Sequence, residues 1–168
     1  MEITLTLNDF LVALSFMIPA YVANSTPIIL GGGKTIDFGR RFIDGERIFG
    51  PNKTIRGFIS GLALGSAVGI FEELVVSQGM IERSFLISLG ALSGDLICAF
   101  IKRRLMFPPG FPLPLMDQLD FILGALLFSY PIYGFNSNAA FIVLLLTPPI
   151  HLATNMVAYV LRLKNTAW

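Results

Sequence analysis

The chain has 168 residues, of which 54% are hydrophobic and 14% charged, with a formal net charge of +1. Soluble domains carry roughly 25% charged residues, and the charges here are bunched, leaving long stretches nearly free of them. A soluble fold is excluded, and an all-α integral membrane protein of a single domain (1–168) is expected. The one cysteine, Cys98, excludes an internal disulfide and a cysteine-built metal cage.

A helical span needs about 20 mostly apolar residues. The chain offers five, at roughly 8–30, 57–76, 84–106, 119–135 and 139–162. The N-terminus carries Glu2 and Asp9 but no Lys or Arg. It lacks the basic start of a signal peptide, so the first apolar segment is expected to be retained. Span one contains Pro19 and Pro27, which predict a kink or break near its end. Asn24-Ser25-Thr26 has the form of a glycosylation acceptor, but it sits at the end of the span that the charges below place in the cytoplasm. Asn24 and Ser25 are instead candidates to face a polar site.

The first loop, about 31–56, opens with GGGKT (31–35). This resembles the end of a Walker A motif, yet the pattern needs a glycine where Ile28 stands and a strand before it. It is read as a flexible loop. Asp37, Asp44 and Glu46 are expected to balance the loop's own cations. GPNKTIRG (50–57) then places Asn52, Lys53, Thr54 and Arg56 at the start of span two. The free N–H groups and positive dipole end of a helix start suit a phosphate.

Span two repeats glycine every four residues, at Gly57, Gly61, Gly65 and Gly69, so one helical face allows close approach of a neighbour. That neighbour is another helix of the chain or a second copy in a homodimer. Glu72 and Glu73 are placed at the far interface. Span three reads LSGDLICAFIKRR, with Asp95 seven residues before Lys102, on one face and about 10 Å apart along the axis. Cys98 in the same run is read as a small buried apolar side chain. The third loop, about 102–118, leads through PLMDQLDF into span four, where Asp117 and Asp120 share a face. Span five holds Pro148 and Pro149, predicting a kink, and the lone His151, read as packing.

Eleven of the twelve Lys and Arg fall in the first loop, at the end of span three or at the C-terminus, where Arg162 and Lys164 lie; only Arg83 does not. Five spans put these three regions on one side. The positive-inside rule then makes that side cytoplasmic and the N-terminus external. Asp95, Asp117 and Asp120 thus gather at the cytoplasmic surface beside Lys102, Arg103 and the basic loop.

Charged groups at a membrane boundary need a task or a partner. Three readings stand. Carboxylates hold a divalent metal while cations receive phosphates; an aspartate relay carries ions or protons, as in an ion-coupled transporter; or the groups pair structurally. Against transport stand the lack of an internal repeat and the gathering of charge at one surface.

GPNKTIRG, GDLICAFIKRR and PLMDQLDF, in this order and spacing, resemble the C-terminal half of the CDP-diglyceride synthase family, and more closely its short archaeal branch. The motifs cover about residues 50–125. The resemblance implies a CTP-dependent cytidylyltransferase using Mg²⁺. It would form CDP-archaeol and pyrophosphate from CTP and 2,3-bis-O-(geranylgeranyl)-sn-glycerol 1-phosphate; ester phosphatidate is the alternative lipid. The family's carboxylates match Asp95, Asp117 and Asp120, implied to hold metal, and its basic positions match Lys53, Lys102 and Arg103. Pro112, Leu113 and Pro114 stand where the wider family has His-Gly-Gly, Gln118 where it has Arg, and Arg56 where it has Glu.

Overall fold

The computed structural model describes residues 5–134 and 136–163. Glu2 and Lys164 of the charge pattern lie outside the described residues. Five helices follow one another: α1 (Leu7–Leu30), α2 (Ile55–Val75), α3 (Met80–Arg104), α4 (Met116–Tyr133) and α5 (Ser137–Val160). Polar residues fix three of the starts. The Thr6 hydroxyl accepts the Asp9 N–H while Asp9 reaches back to the Thr6 N–H; Thr54 caps α2 and Asn136 caps α5.

Four helices, α1, α2, α3 and α5, are long and apolar enough to cross a membrane. The fourth expected span corresponds to α4, an 18-residue helix with Asp117 in its first turn. The two carboxylates near its start lower its hydropathy, and it is not among those four. The break that the prolines allowed for in span one does not occur. Helix α1 runs through Pro19 and Pro27, and α5 through Pro148 and Pro149. Hydroxyls beside the prolines bond back to the helix backbone, Thr26 to the Val22 carbonyl and Thr147 to the Val143 carbonyl.

Helices α1, α2, α3 and α4 pack in antiparallel succession, and the small residues set the register. A Cβ on Gly61 would lie 2.6 Å from the Ala23 carbonyl of α1 and 3.1 Å from Leu92 of α3; on Gly69 it would lie 2.6 Å from the Met80 carbonyl. The glycine face of α2 is therefore consumed inside the chain, in the groove between α1 and α3, and is not left for a second copy. Helices α3 and α4 approach as closely. A Cβ on Gly94 would collide with the Asp120 carbonyl, and one on Gly124 with the Gly90 carbonyl. Phe16, Ala20, Ile87, Leu92, Phe121, Ile122 and Val143 fill the core between them.

Asp9 of α1 accepts from Asn136 at 2.8 Å, so α1 and α5 start at the same end. That end also holds the α2–α3 junction. The opposite end gathers the α1–α2 loop, the α3–α4 loop and the end of α5, and with them every described Lys and Arg except Arg83. Glu72, expected at the interface, turns inward at 6% exposure and accepts the Ser84 hydroxyl at 3.0 Å, whereas Glu73 is half-buried and accepts the Ile81 N–H at 3.3 Å.

Candidate functional site

The antiparallel register of α3 and α4 brings Cys98 and Lys102 level with Asp117. The Lys102 ammonium donates to both Asp117 oxygens, at 3.0 and 2.8 Å, and to the Phe111 carbonyl. Asp117 also accepts the Leu113 N–H at 3.0 Å, so the Pro-Leu-Pro turn is tied to the helix that it precedes. Asp95 is held differently. Lys53, arriving from the first loop, donates to both its oxygens at 2.6 Å. The shared face of Asp95 and Lys102 thus serves two separate pairs, each closed by a residue from another element. Asp120 carries no ion pair among the described residues and lies within electrostatic reach of Asp95 and Lys53. One of its oxygens accepts the neighbouring Phe121 N–H at 2.6 Å.

Lys53 reaches Asp95 because its loop is built rather than loose. The Thr54 hydroxyl accepts from Gly57 N–H at 3.1 Å and from Gly32 N–H at 3.2 Å, and Thr35 pairs with Thr54 across a β-bridge. The GGGKT segment is therefore pinned, contrary to a flexible loop, and Thr54 is engaged as a cap. Asp37 is buried and accepts from Arg47, Thr35 and the N–H groups of Gly39, Phe49 and Gly50. Burial pushes its carboxyl up, but the Arg47 guanidinium and these N–H donors outweigh it and hold it well below the ordinary value. Burial disfavours the Lys53 ammonium, and the Asp95 carboxylate more than offsets this, raising it above the ordinary lysine range. Asp44 does not balance a cation of its own loop; it pairs with Arg104 of α3 at 3.0 Å.

The other expected site residues stand further out. Arg103 is buried beside Gly50 and donates to the Pro108 carbonyl at 3.2 Å, bracing the turn after α3. Asn52 and Arg56 are exposed and Asn24 is half-buried in the last turns of α1. Ser25 is exposed and bonds back to the Val22 carbonyl. His151 lies against the Phe121 ring and 3.1 Å from Asn155, as a packing residue does.

The carboxylates fit a hard divalent cation. One donor atom each from Cys98, Asp117 and Asp120 lies within 4.8 Å of the others. Mg²⁺ takes oxygen donors and typically one or two carboxylates, with substrate phosphates completing its shell. Asp117 and Asp120 meet that need, and Asp120 has no cation already bound to it. Cys98 is a soft neighbour rather than a hard donor, 3.6 Å from Asp117. Asp95 stands outside this triangle, holding Lys53. Sequence reasoning missed Cys98 as a wall of the site. The spacing 95, 98, 102 puts it on the right side of α3, but an apolar run concealed it. A cavity of about 320 Å³, lined by Arg83, Tyr133 and Phe16 among others, lies at the opposite end and contains none of these groups. Charge convergence therefore identifies the site better than concavity.

Known proteins share this chain's sequence and fold. Residues 6–168 match a family model described as CarS-like, CDP-archaeol synthase. The chain is 44% identical to a CDP-archaeol synthase of Pyrococcus furiosus, over 96% of this chain and 100% of the relative. It is 42% identical to one of Methanopyrus kandleri, over 91% and 90%. A solved structure described as an intramembrane enzyme for archaeal membrane lipids biosynthesis superposes with a TM-score of 0.82 at 41% identity, covering 88% of this chain and 94% of that one.

Proposed function

The chain belongs to the CDP-archaeol synthase family, and on that premise we propose that it transfers the cytidylyl group of CTP to 2,3-bis-O-(geranylgeranyl)-sn-glycerol 1-phosphate, forming CDP-archaeol and pyrophosphate. The observation that carries this reading is the meeting of Lys53, Asp95, Lys102, Asp117 and Asp120, from one loop and two helices, at one end of a membrane-spanning bundle. A water-soluble nucleotide and a membrane lipid can both reach such a place. The positive-inside rule makes this end the cytoplasmic one.

Asp117 and Asp120, with Asp95 beside them, are the residues to hold Mg²⁺, which supplies charge neutralisation on the triphosphate. Lys53 and Lys102 supply the charged donors. Each ammonium carries three N–H groups, and the carboxylates that hold them keep them aimed at the space between α3, α4 and the loop. Phosphate oxygens compete for those donors, so the lysines turn from carboxylate to substrate without moving their backbones. Arg103, Arg56, Asn52 and Asn24 stand further out and are assigned to substrate contact; Thr54 contributes by fixing the start of α2 behind Lys53.

The lipid phosphate is already an anion, so no side chain need remove a proton. Its oxygen bonds to the α-phosphorus of CTP, the bond from that phosphorus to the bridging oxygen breaks, and pyrophosphate leaves. Positioning and charge stabilisation carry such a transfer.

The test is transfer of label from α-labelled CTP to lipid by the purified protein with Mg²⁺, offering ether and ester lipid phosphates separately. Label on the ether lipid is expected. Equal label on the ester lipid would remove the selectivity for ether tails, and no label from folded protein would overturn the reading.

A further inference from the structure

The α1–α2 loop has an apolar edge that cytidylyl transfer does not use. Ile43 is 94% exposed, Phe38 66% and Phe42 41%, and the exposed Arg40 and Arg41 lie between them in sequence. This edge is not slack chain. Arg41 and Arg47 pair across a β-bridge, the Phe42 N–H bonds the Glu46 carbonyl at 2.8 Å, and the Gly45 N–H bonds the Phe42 carbonyl at 3.0 Å. Buried Asp37 ties the base of the hairpin together. Arg104 fastens the hairpin to α3: it pairs with Asp44, donates to the Arg47 carbonyl at 2.7 Å, and lies over the Phe42 and Phe100 rings at 4.7 and 4.8 Å. The fold therefore enforces the exposure of Phe38 and Ile43.

The attachment also fixes depth. Helix α3 has 25 residues, about 37 Å of length, against a hydrocarbon core of about 30 Å. Phe100 lies one turn inside its charged end, and the Phe42 ring meets it edge to face at 5.4 Å. The hairpin is thus held level with the boundary between hydrocarbon and headgroups. Ile97 and Ile101 of the same helix are exposed at that level, as lipid-facing residues are. Apolar and aromatic side chains alternating with arginine are the composition of an interfacial anchor.

We propose that the edge formed by residues 38–43 seats in the bilayer leaflet at the site end, with Phe38 and Ile43 below the headgroups and Arg40 and Arg41 on lipid phosphates. The occupant is the lipid surface. The arginines match its anionic phosphates, the apolar tips match its acyl boundary, and α3 sets the depth at which both meet it. Anchoring the hairpin there fixes the loop that carries Lys53 at the plane where a lipid phosphate arrives. The inference rests on the membrane placement of the bundle and not on the transfer reaction.

The test uses the full chain with Trp168→Phe as background and Ile43→Trp as reporter, reconstituted in vesicles of an anionic ether phospholipid. Ile43 is almost wholly exposed, so its replacement disturbs little; Phe38→Trp serves as a second reporter. We expect blue-shifted emission, quenching by lipids brominated near the headgroup, and iodide quenching at least about threefold weaker than for free N-acetyltryptophanamide in water. Iodide quenching equal to the free indole from both reporters would show the edge in water and overturn the proposal. Shielding from iodide together with no quenching by brominated lipid would show it covered by protein, and would overturn it too. Label transfer by the same variants is scored separately, so failure of the anchor and failure of the enzymatic reading are told apart.

Discussion

The two ends of the bundle treat their carboxylates differently. At the end with the α2–α3 junction, Asp9 is met by the Thr6 N–H and hydroxyl and by the Asn136 amide, and Glu72 by the Ser84 hydroxyl. No ion pair is found there among the described residues, and Arg83 donates to the Ser15 hydroxyl at 3.1 Å. At the other end, Asp95 and Asp117 are met by lysine ammoniums from separate elements, and Asp120 by no ion pair among the described residues. Neutral donors satisfy a carboxylate as part of the fold and offer nothing to a ligand. An ammonium shared with a partly exposed carboxylate can be claimed by a phosphate, because the exchange replaces one anionic partner with another. The first end is a clamp, and the second is the end at which we propose the site.

The sharpest way to break this contrast is Asp120→Asn. Transfer should fall by at least about 10³-fold with the thermal unfolding midpoint unchanged, since Asp120 has no ion pair to lose; substantial transfer in the folded variant would remove it from the site. Lys53→Met and Lys102→Met should each cost about 10²-fold, carried mainly by the KM for CTP. Both pairs are partly exposed, with side-chain exposures of 27% and 26% for Lys53–Asp95 and 11% and 31% for Lys102–Asp117, so their loss should lower stability only modestly. A midpoint collapse in either would recast the pair as structural.

Asp37→Asn probes the hairpin rather than the chemistry. Removing the charge from a buried network should destabilise the loop by about 3 kcal/mol, seen as faster amide exchange across the loop between α1 and α2 while the helices stay protected. The same carboxyl predicts an acid effect. Its folded pKa lies below the ordinary 3.8, so its contribution is complete above that value and is lost as pH falls through the lower, folded one. Lys53 has the opposite sign. Raised above the ordinary 10.5, it holds Asp95 fully below that pH and releases it only as pH rises through the higher, folded value. Loop protection, taken as exchange relative to the intrinsic amide rate at each pH, should therefore be flat between about pH 6 and 9; a transition inside that window would contradict both shifts. Asn136→Ala, at the clamp, should cost only about 1 kcal/mol through lost capping, measured by thermal unfolding, and leave label transfer unchanged.

Much of this was legible along the chain. The charge deficit and five apolar runs give the spans, the lopsided Lys and Arg give the common side of the loops, and the four-residue glycine repeat gives the close face of α2, because each depends on period and composition alone. Motif spacing singled out Asp95, Asp117, Asp120, Lys53 and Lys102. It could not say which lysine holds which aspartate, since Asp95 and Lys53 are 42 residues apart and meet only because Thr54 pins the loop. The break allowed for near Pro19 and Pro27 does not occur, because α1 continues through both prolines.

The sequence by itself determined that this is a helical membrane protein with its charge gathered at one end, because burial in lipid constrains composition residue by residue. Only the tertiary structure decided that Cys98 lies beside Asp117 and Asp120, that Glu72 turns inward, that Asp44 belongs to Arg104, and that Asp120 makes no ion pair among the described residues. Each of these follows from the register of helices packed at glycine distance, and register is fixed by long-range contacts that no local pattern records.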